Sequence, residues 1–270
     1  MLTALAEDGT RAQAYDVGRG KPILVLHPGM DDGSTWRRVG AHLATRFRVV
    51  IPHRRPYRLD LPASSSAATE LEHTRAIVRA VGEPMLVVGH SSGAVAALEA
   101  LVDMPSAFVG AVLYDPPLVA DTLPFATAST PDQPGTIDRA RSALASGHPG
   151  RAFGTFAREV LRLPPPVVWL SMFLAATLPR VRRLVPAQIE DAAAIEALGN
   201  RLDAYATIDV PSVLLTGERG AGDLHERLAA LEERMRDPPR VTIPKQGHSA
   251  NRHAPAAVAA VIERLADEVF

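Results

Sequence analysis

The sequence predicts an α/β fold: a mostly parallel central sheet with helices on both faces, carrying an inserted and mainly helical cap. Three observations predict it. Short apolar runs rich in β-branched residues alternate with longer helical segments, the pattern of parallel strands joined by crossover helices. One run, Met85-Leu86-Val87-Val88, enters the sharp turn Gly89-His90-Ser91-Ser92-Gly93 and then a stretch of good helix formers from Ala94 to Leu101. From 118 to about 209 the alternation lapses, and Pro124, Pro131, Pro134, Pro149 and Pro164-Pro165-Pro166 punctuate short helical pieces. The expected division is therefore a core at 1–117, an inserted cap at 118–209 and the rest of the core at 210–270.

In chain order, residues 11–17 read as a first edge strand ended by Gly18-Arg19-Gly20, and Pro22-Ile23-Leu24-Val25-Leu26 as a strand buried on both faces. Asp31-Asp32-Gly33-Ser34 is turn material, with Ser34 placed to cap a helix over 35–45. A strand at 47–52, a loop at 53–66 and a helix at 67–81 closed by Gly82 follow. After the strand–turn–helix at Ser91 comes a strand at 108–115, stopped by Pro116-Pro117. Beyond the lapse, Val213-Leu214-Leu215-Thr216-Gly217 and Val241-Thr242-Ile243-Pro244 read as strands, with helices at about 223–235 and 253–269.

Composition narrows the function classes. With 47% hydrophobic and 22% charged residues the chain can bury a sizeable core. A net charge of -1 gives no reason to expect nucleic acid or a membrane as partner. The absence of cysteine excludes disulfides, thiolate catalysis and cysteine metal sites. No His-x-x-x-His pair or acidic cluster has metal-ligand spacing, and Gly217-Glu218-Arg219-Gly220-Ala221-Gly222 lacks the Lys-Ser/Thr ending of a phosphate loop, so no metal or cofactor is expected. The first residues show no basic region followed by an apolar one, and the apolar stretch 167–178 is too short to span a bilayer, so a cytoplasmic protein is expected.

The turn at Ser91 matches G-x-S-x-G in the strand–turn–helix context that a nucleophilic serine requires. Flanking glycines leave room for a strained serine, whose hydroxyl then stands above a helix N-terminus that favours developing negative charge. With this motif, Leu24-Val25-Leu26-His27-Pro28-Gly29 and Gly247-His248-Ser249, each at a predicted strand end, the chain resembles the α/β-hydrolases over essentially its whole length outside the cap. The resemblance implies a Ser–His–acid triad with Ser91 as nucleophile and His248 as base. His27 and His90 lie inside motifs, where the resemblance implies structural hydrogen bonding. His42, His73, His225 and His253 fall in helical patterns expected to be solvated.

The acid has two candidates. The usual position after the strand ending at Gly217 is held by Gly220, which has no side chain. Asp115 ends the strand after the Ser91 turn, an arrangement that resembles certain lipases and lactonases. Asp223 lies a little beyond Gly220 but, with Glu226, also reads as a helix start. A strand-end carboxylate is held more rigidly, which favours Asp115 and leaves Asp223 as the alternative. The oxyanion hole is expected from the Ser92 N–H and one from Gly29 or Met30, because Pro28 has no N–H. At 53–60 only the arginine survives of the Asp-x-Arg-Gly-x-Gly-x-Ser pattern found in many relatives.

The stretch from Leu163 to Leu178, apolar on nearly every side, reads either as a helix buried in the cap or as one wall of an apolar substrate pocket, with Trp169, Met172 and Phe173 lining it. Arg180-Val181-Arg182-Arg183 reads as a solvated face. The leading expectation is a cofactor-independent serine hydrolase acting on an ester or lactone of a mid-sized, largely apolar molecule. The alternatives are a non-hydrolytic lyase or cyclase on the same fold and a ligand receptor with little turnover.

Overall fold

The computed structural model describes residues 1–61, 66–121, 123–220, 222–236 and 238–270. Part of the loop expected at 53–66 and Ala221 of the glycine-rich stretch lie outside the described residues. Eight strands form one sheet: β1 (Leu2–Leu5), β2 (Arg11–Gly18), β3 (Pro22–Leu26), β4 (Arg48–Pro52), β5 (Met85–His90), β6 (Phe108–Tyr114), β7 (Ser212–Gly217) and β8 (Arg240–Ile243). Their order is β1-β2-β4-β3-β5-β6-β7-β8, with β2 antiparallel to both of its neighbours, β1 and β4, and every other adjacent pair parallel.

The central parallel strands form because runs such as Pro22–Leu26, 85–88 and 108–113 are apolar at nearly every position, so both faces can be covered. Alternate residues separate the two cores. Ile23, Val25, Val49, Ile51, Leu86 and Val88 face α1 (Arg37–Leu43) and α11 (Pro255–Val269). Leu24, Leu26, Val50 and Val87 face the other side, under α2 (Ala67–Val81), α3 (Ser92–Asp103) and α9 (Gly222–Glu232). α2 has the predicted bounds: the Ser66 hydroxyl accepts from the Thr69 N–H, and Gly82 closes the helix at φ 76°.

Between β6 and β7 lies the cap: α4 (Thr136–Ala145), α5 (Pro149–Glu159), α6 (Pro165–Thr177), α7 (Pro179–Leu198) and the short α8 (Leu202–Tyr205). A final short helix, α10 (Ala250–His253), precedes α11.

The elements depart from the sequence reading at the sheet edge, at the helix after β3 and at His73. The edge strand is β1, one strand further out than expected. The helix expected at 35–45 begins at Arg37 after a 3-10 turn, Ser34–Trp36, and the Ser34 side chain caps nothing; its hydroxyl instead accepts from Arg180 at 3.0 Å. His73 is buried rather than solvated, contacting Thr10 Oγ1 at 2.9 Å.

β4 lies on one side of β3 and β5 on the other, so the chain reverses direction across the sheet there. In open parallel sheets the crevice at such a reversal, outside the carboxyl ends of the strands, is where ligands bind.

Candidate active site

The carboxyl ends of β3, β5, β6 and β8 deliver the expected side chains to that crevice. At the end of β5 the backbone of Ser91 is held at φ 54°, ψ -128°, a conformation L side chains rarely adopt. Its glycine neighbours are demanded by close approach. A Cβ on Gly89 would stand 2.5 Å from Ala94 Cα, and one on Gly93 would stand 2.2 Å from the Leu26 carbonyl oxygen. The turn is pinned by the Ser91 N–H donating to the Tyr114 carbonyl at 2.8 Å. α3 starts at Ser92 directly behind it, so the first free N–H groups of that helix face the position of Ser91.

His248 sits on the loop between β8 and α10. Its Nδ1–H donates to Asp115 Oδ2 at 2.9 Å, and Asp115 is fully buried. The sequence left Asp115 and Asp223 as rivals, and geometry separates them. Asp223 lies in the first turn of α9 with its carboxylate 3.5 Å from Arg227 Nε and 3.9 Å from Arg162 Nε. Asp115 is itself strained, at φ 46°, and its N–H is tied to the Leu215 carbonyl.

The histidine loop is fixed from below. His90 Nε2 contacts the His248 carbonyl at 2.9 Å, while the Tyr114 hydroxyl donates to the Gly247 carbonyl at 2.6 Å and accepts from the Ala250 N–H at 3.0 Å. The His90 ring stacks on Tyr114 at 4.3 Å and meets Trp36 edge-on. Burial pushes the His90 imidazole well below its usual range, so it is neutral and its Nε2–H is the donor to His248.

The oxyanion-side loop is equally built in. Met30 is held at φ 53°. The buried His27 Nδ1–H donates to the Pro28 carbonyl at 2.8 Å, and its Nε2 accepts from the Arg54 N–H at 3.2 Å. Burial, with Arg54 beside it, pushes this imidazole down to about 3, so it too is neutral. A Cβ on Gly29 would lie 2.1 Å from Gln188 Oε1 of the cap, so a larger residue here would require the Gln188 side chain to shift.

Arg54, the arginine retained from the family pattern, is the centre of a buried cluster that sequence reasoning missed. Its guanidinium donates to the His27 carbonyl at 3.0 Å and to Ser92 Oγ at 2.8 Å on the core side. It also meets Glu70 of α2 at 2.9 Å and Asp191 of α7 at 3.0 Å. The Tyr57 hydroxyl adds a bond to Asp191 at 2.7 Å. The two carboxylates hold Arg54 charged against burial, and burial raises the Glu70 carboxyl above its ordinary value. The retained arginine was the available signal; its partners are distant in sequence, and no local pattern names them.

Ser91, Ser92, Gly29, Met30 and His248 open on one cavity of about 360 Å³. Its cap-side wall is Phe125, Phe153, Phe156, Val160, Leu161 and Leu163. Trp169 and Phe173 are not in that wall: they lie on the outer face of α6, 70% and 62% exposed. Met172 instead packs against α5, where Gly150 and Gly154 leave room for it. The expectation of a pocket lined by these three is corrected accordingly. A helix apolar on every side carries no polar face to say which way it turns. Among the described residues no group of three or more His, Asp or Glu side chains is placed to hold a metal ion, and no helix is long and apolar enough to cross a membrane.

A sequence model described as the Alpha/beta hydrolase family matches residues 23–261. The chain belongs to the α/β-hydrolase family. Among solved structures it is similar to an α/β hydrolase from Sphaerobacter thermophilus (25% identity, 97% of this chain and 98% of that one, TM-score 0.81). It is also similar in fold to a thermophilic esterase from Thermogutta terrifontis (18% identity, 99% and 98% covered, TM-score 0.75). The same holds for the enol-lactonase from Burkholderia xenovorans (14% identity, 97% and 98% covered, TM-score 0.73). No curated protein sequence matches the chain.

Proposed function

We propose that this α/β-hydrolase is a serine hydrolase that cleaves an ester or lactone of a mid-sized, largely apolar molecule through an acyl-enzyme. The observation that carries the reading is the 2.9 Å contact between His248 Nδ1 and the buried Asp115, on a cavity that also holds the strained Ser91. With Nδ1–H committed to the carboxylate, the free Nε2 of His248 is the basic nitrogen. It takes the Ser91 proton as Oγ attacks the substrate carbonyl. The N–H groups of Ser92 and of Gly29 or Met30 stabilise the oxyanion that forms. As the tetrahedral intermediate collapses, the carbonyl re-forms, the alkoxide leaves and takes the proton from His248. Water then repeats the sequence on the acyl-enzyme, restoring Ser91 and releasing the acid. The phenylalanine-rich wall favours an apolar acyl group. The esterase and lactonase among the similar folds are compatible with this chemistry.

The test is hydrolysis of a panel of p-nitrophenyl esters and simple lactones by the wild type and by Ser91→Ala, with fluorophosphonate labelling of both. Labelling and turnover are expected in the wild type, with kcat reduced at least about a thousandfold in the variant. A wild type that neither turns over nor is labelled overturns the reading.

A further inference from the structure

α6 contains no charged residue, and packing against the rest of the cap uses only part of its surface. Val168 and Ala175 are buried, while Trp169, Leu170 and Phe173 stand 70%, 57% and 62% exposed. Val167 and Leu178 extend the same apolar character to both ends of the helix. A contiguous apolar patch of large side chains on a folded chain marks a docking surface.

Charge decides what docks there. Between Glu159 and Glu190 the sequence has four arginines and neither aspartate nor glutamate. Arg162 precedes α6, and Arg180, Arg182 and Arg183 follow it. Arg162 lies 3.9 Å from Asp223 and Arg180 lies 3.2 Å from Asp32, but Arg182 and Arg183 are exposed with no carboxylate partner among the described residues. The net charge of -1 over the whole chain hides this local excess. A second copy laid on the same face would bring like charges together, whereas an anionic surface neutralises them.

We propose that α6 and its flanking arginines dock the protein on an anionic lipid surface. The helix lies in the interfacial plane, with Trp169, Leu170 and Phe173 among the upper acyl chains and the arginines at the phosphates. Tryptophan suits this depth because its ring is apolar and its N–H is polar. Val160, Leu161 and Leu163, which line the catalytic cavity, run directly into α6 along the chain. An apolar ester dissolved in the membrane is thereby offered to the cavity. That delivery rests on the hydrolase reading; the docking does not.

The protein carries its own reporter. It has two tryptophans, and Trp36 is fully buried, so a change in emission on adding vesicles comes from Trp169. The full chain is mixed with vesicles of phosphatidylcholine alone and of phosphatidylcholine with one quarter phosphatidylglycerol, then followed by co-sedimentation and tryptophan emission. Expected are a blue shift and binding at least about tenfold tighter to the anionic vesicles, weakened by high salt. Leu170→Glu with Phe173→Glu, and separately Arg182→Glu with Arg183→Glu, should each lose that binding while keeping the wild-type melting curve. Absence of binding to the anionic vesicles overturns the proposal. So does a concentration-dependent dimer that Leu170→Glu with Phe173→Glu dissolves and vesicles do not displace. Fluorophosphonate labelling of Ser91 without lipid reports on the hydrolase reading separately, so the two can fail independently.

Discussion

The carboxyl edge of the sheet and the cap above it line one cavity, yet they hold their residues by different means. At the edge the backbone does the positioning: Met30, Ser91 and Asp115 all have positive φ, and the glycines around Ser91 are forced by atoms closer than 3 Å to where a Cβ would stand. In the cap, regular helices are positioned by side-chain contacts: packing on one another and bonds such as those from Arg54 and Tyr57 to Asp191. α5 and α6 pack on each other and show what that implies. α5 has a polar face, so its Phe153 and Phe156 can turn only inward, toward the cavity. α6 has none, and the large side chains that look equally suited to the pocket face outward. Apolar composition predicts burial only where something polar competes for the solvent side.

The largest effect is expected where the two regions join. Arg54 ties the His27 carbonyl and Ser92 Oγ of the edge to Asp191 of the cap. Arg54→Met leaves Glu70 and Asp191 buried without their cation, which should cost about 4–5 kcal/mol in chemical denaturation at neutral pH. The sign of its pH dependence follows. Burial already raises the Glu70 carboxyl, and without its cation it binds a proton still more tightly folded than unfolded, so the deficit should shrink as pH falls. A variant whose deficit is constant with pH would show that lost packing, not stranded charge, is responsible.

Within the cap, Phe156→Ala removes a side chain that is 4% exposed and should cost about 3 kcal/mol, while Phe173→Ala should stay within about 0.5 kcal/mol. Comparable losses at both positions would break the distinction between the inward and outward helices.

This contrast also explains what the sequence could and could not reveal. Strands β3, β5, β6 and β7 are legible because runs such as Pro22-Ile23-Leu24-Val25-Leu26 are nearly all apolar and bounded by turn residues. The short β1 is not, since Leu2–Leu5 is half exposed and exists through its pairing with β2. At the site, strand ends and glycine spacing point to Ser91, Asp115 and His248, because backbone constraint leaves a local signature. The Arg54 cluster joins Arg54, Glu70 and Asp191 across 137 residues of chain, and side-chain pairing at that range leaves none.

A pH dependence sharpens the edge against the cap. Folded His27 stays neutral down to about pH 3, whereas the same imidazole in the unfolded chain takes up a proton below about 6.5. Between those values the unfolded state binds more protons, so the contribution of His27 to stability is complete above pH 6.5 and is lost as pH falls. By pH 5 that loss should reach about 2 kcal/mol. His27→Asn retains a donor for the Pro28 carbonyl but cannot titrate, so its stability should fall less than that of the wild type between pH 7 and pH 5. His90 is shifted in the same direction and is present in both proteins, so it cancels in the comparison. Phe156→Ala alters the cap and should keep the wild-type slope, because none of the cap helices contains a histidine. Parallel wild-type and His27→Asn curves would mean that the imidazole is protonated in the folded protein, and that the edge is not held by neutral, buried histidine.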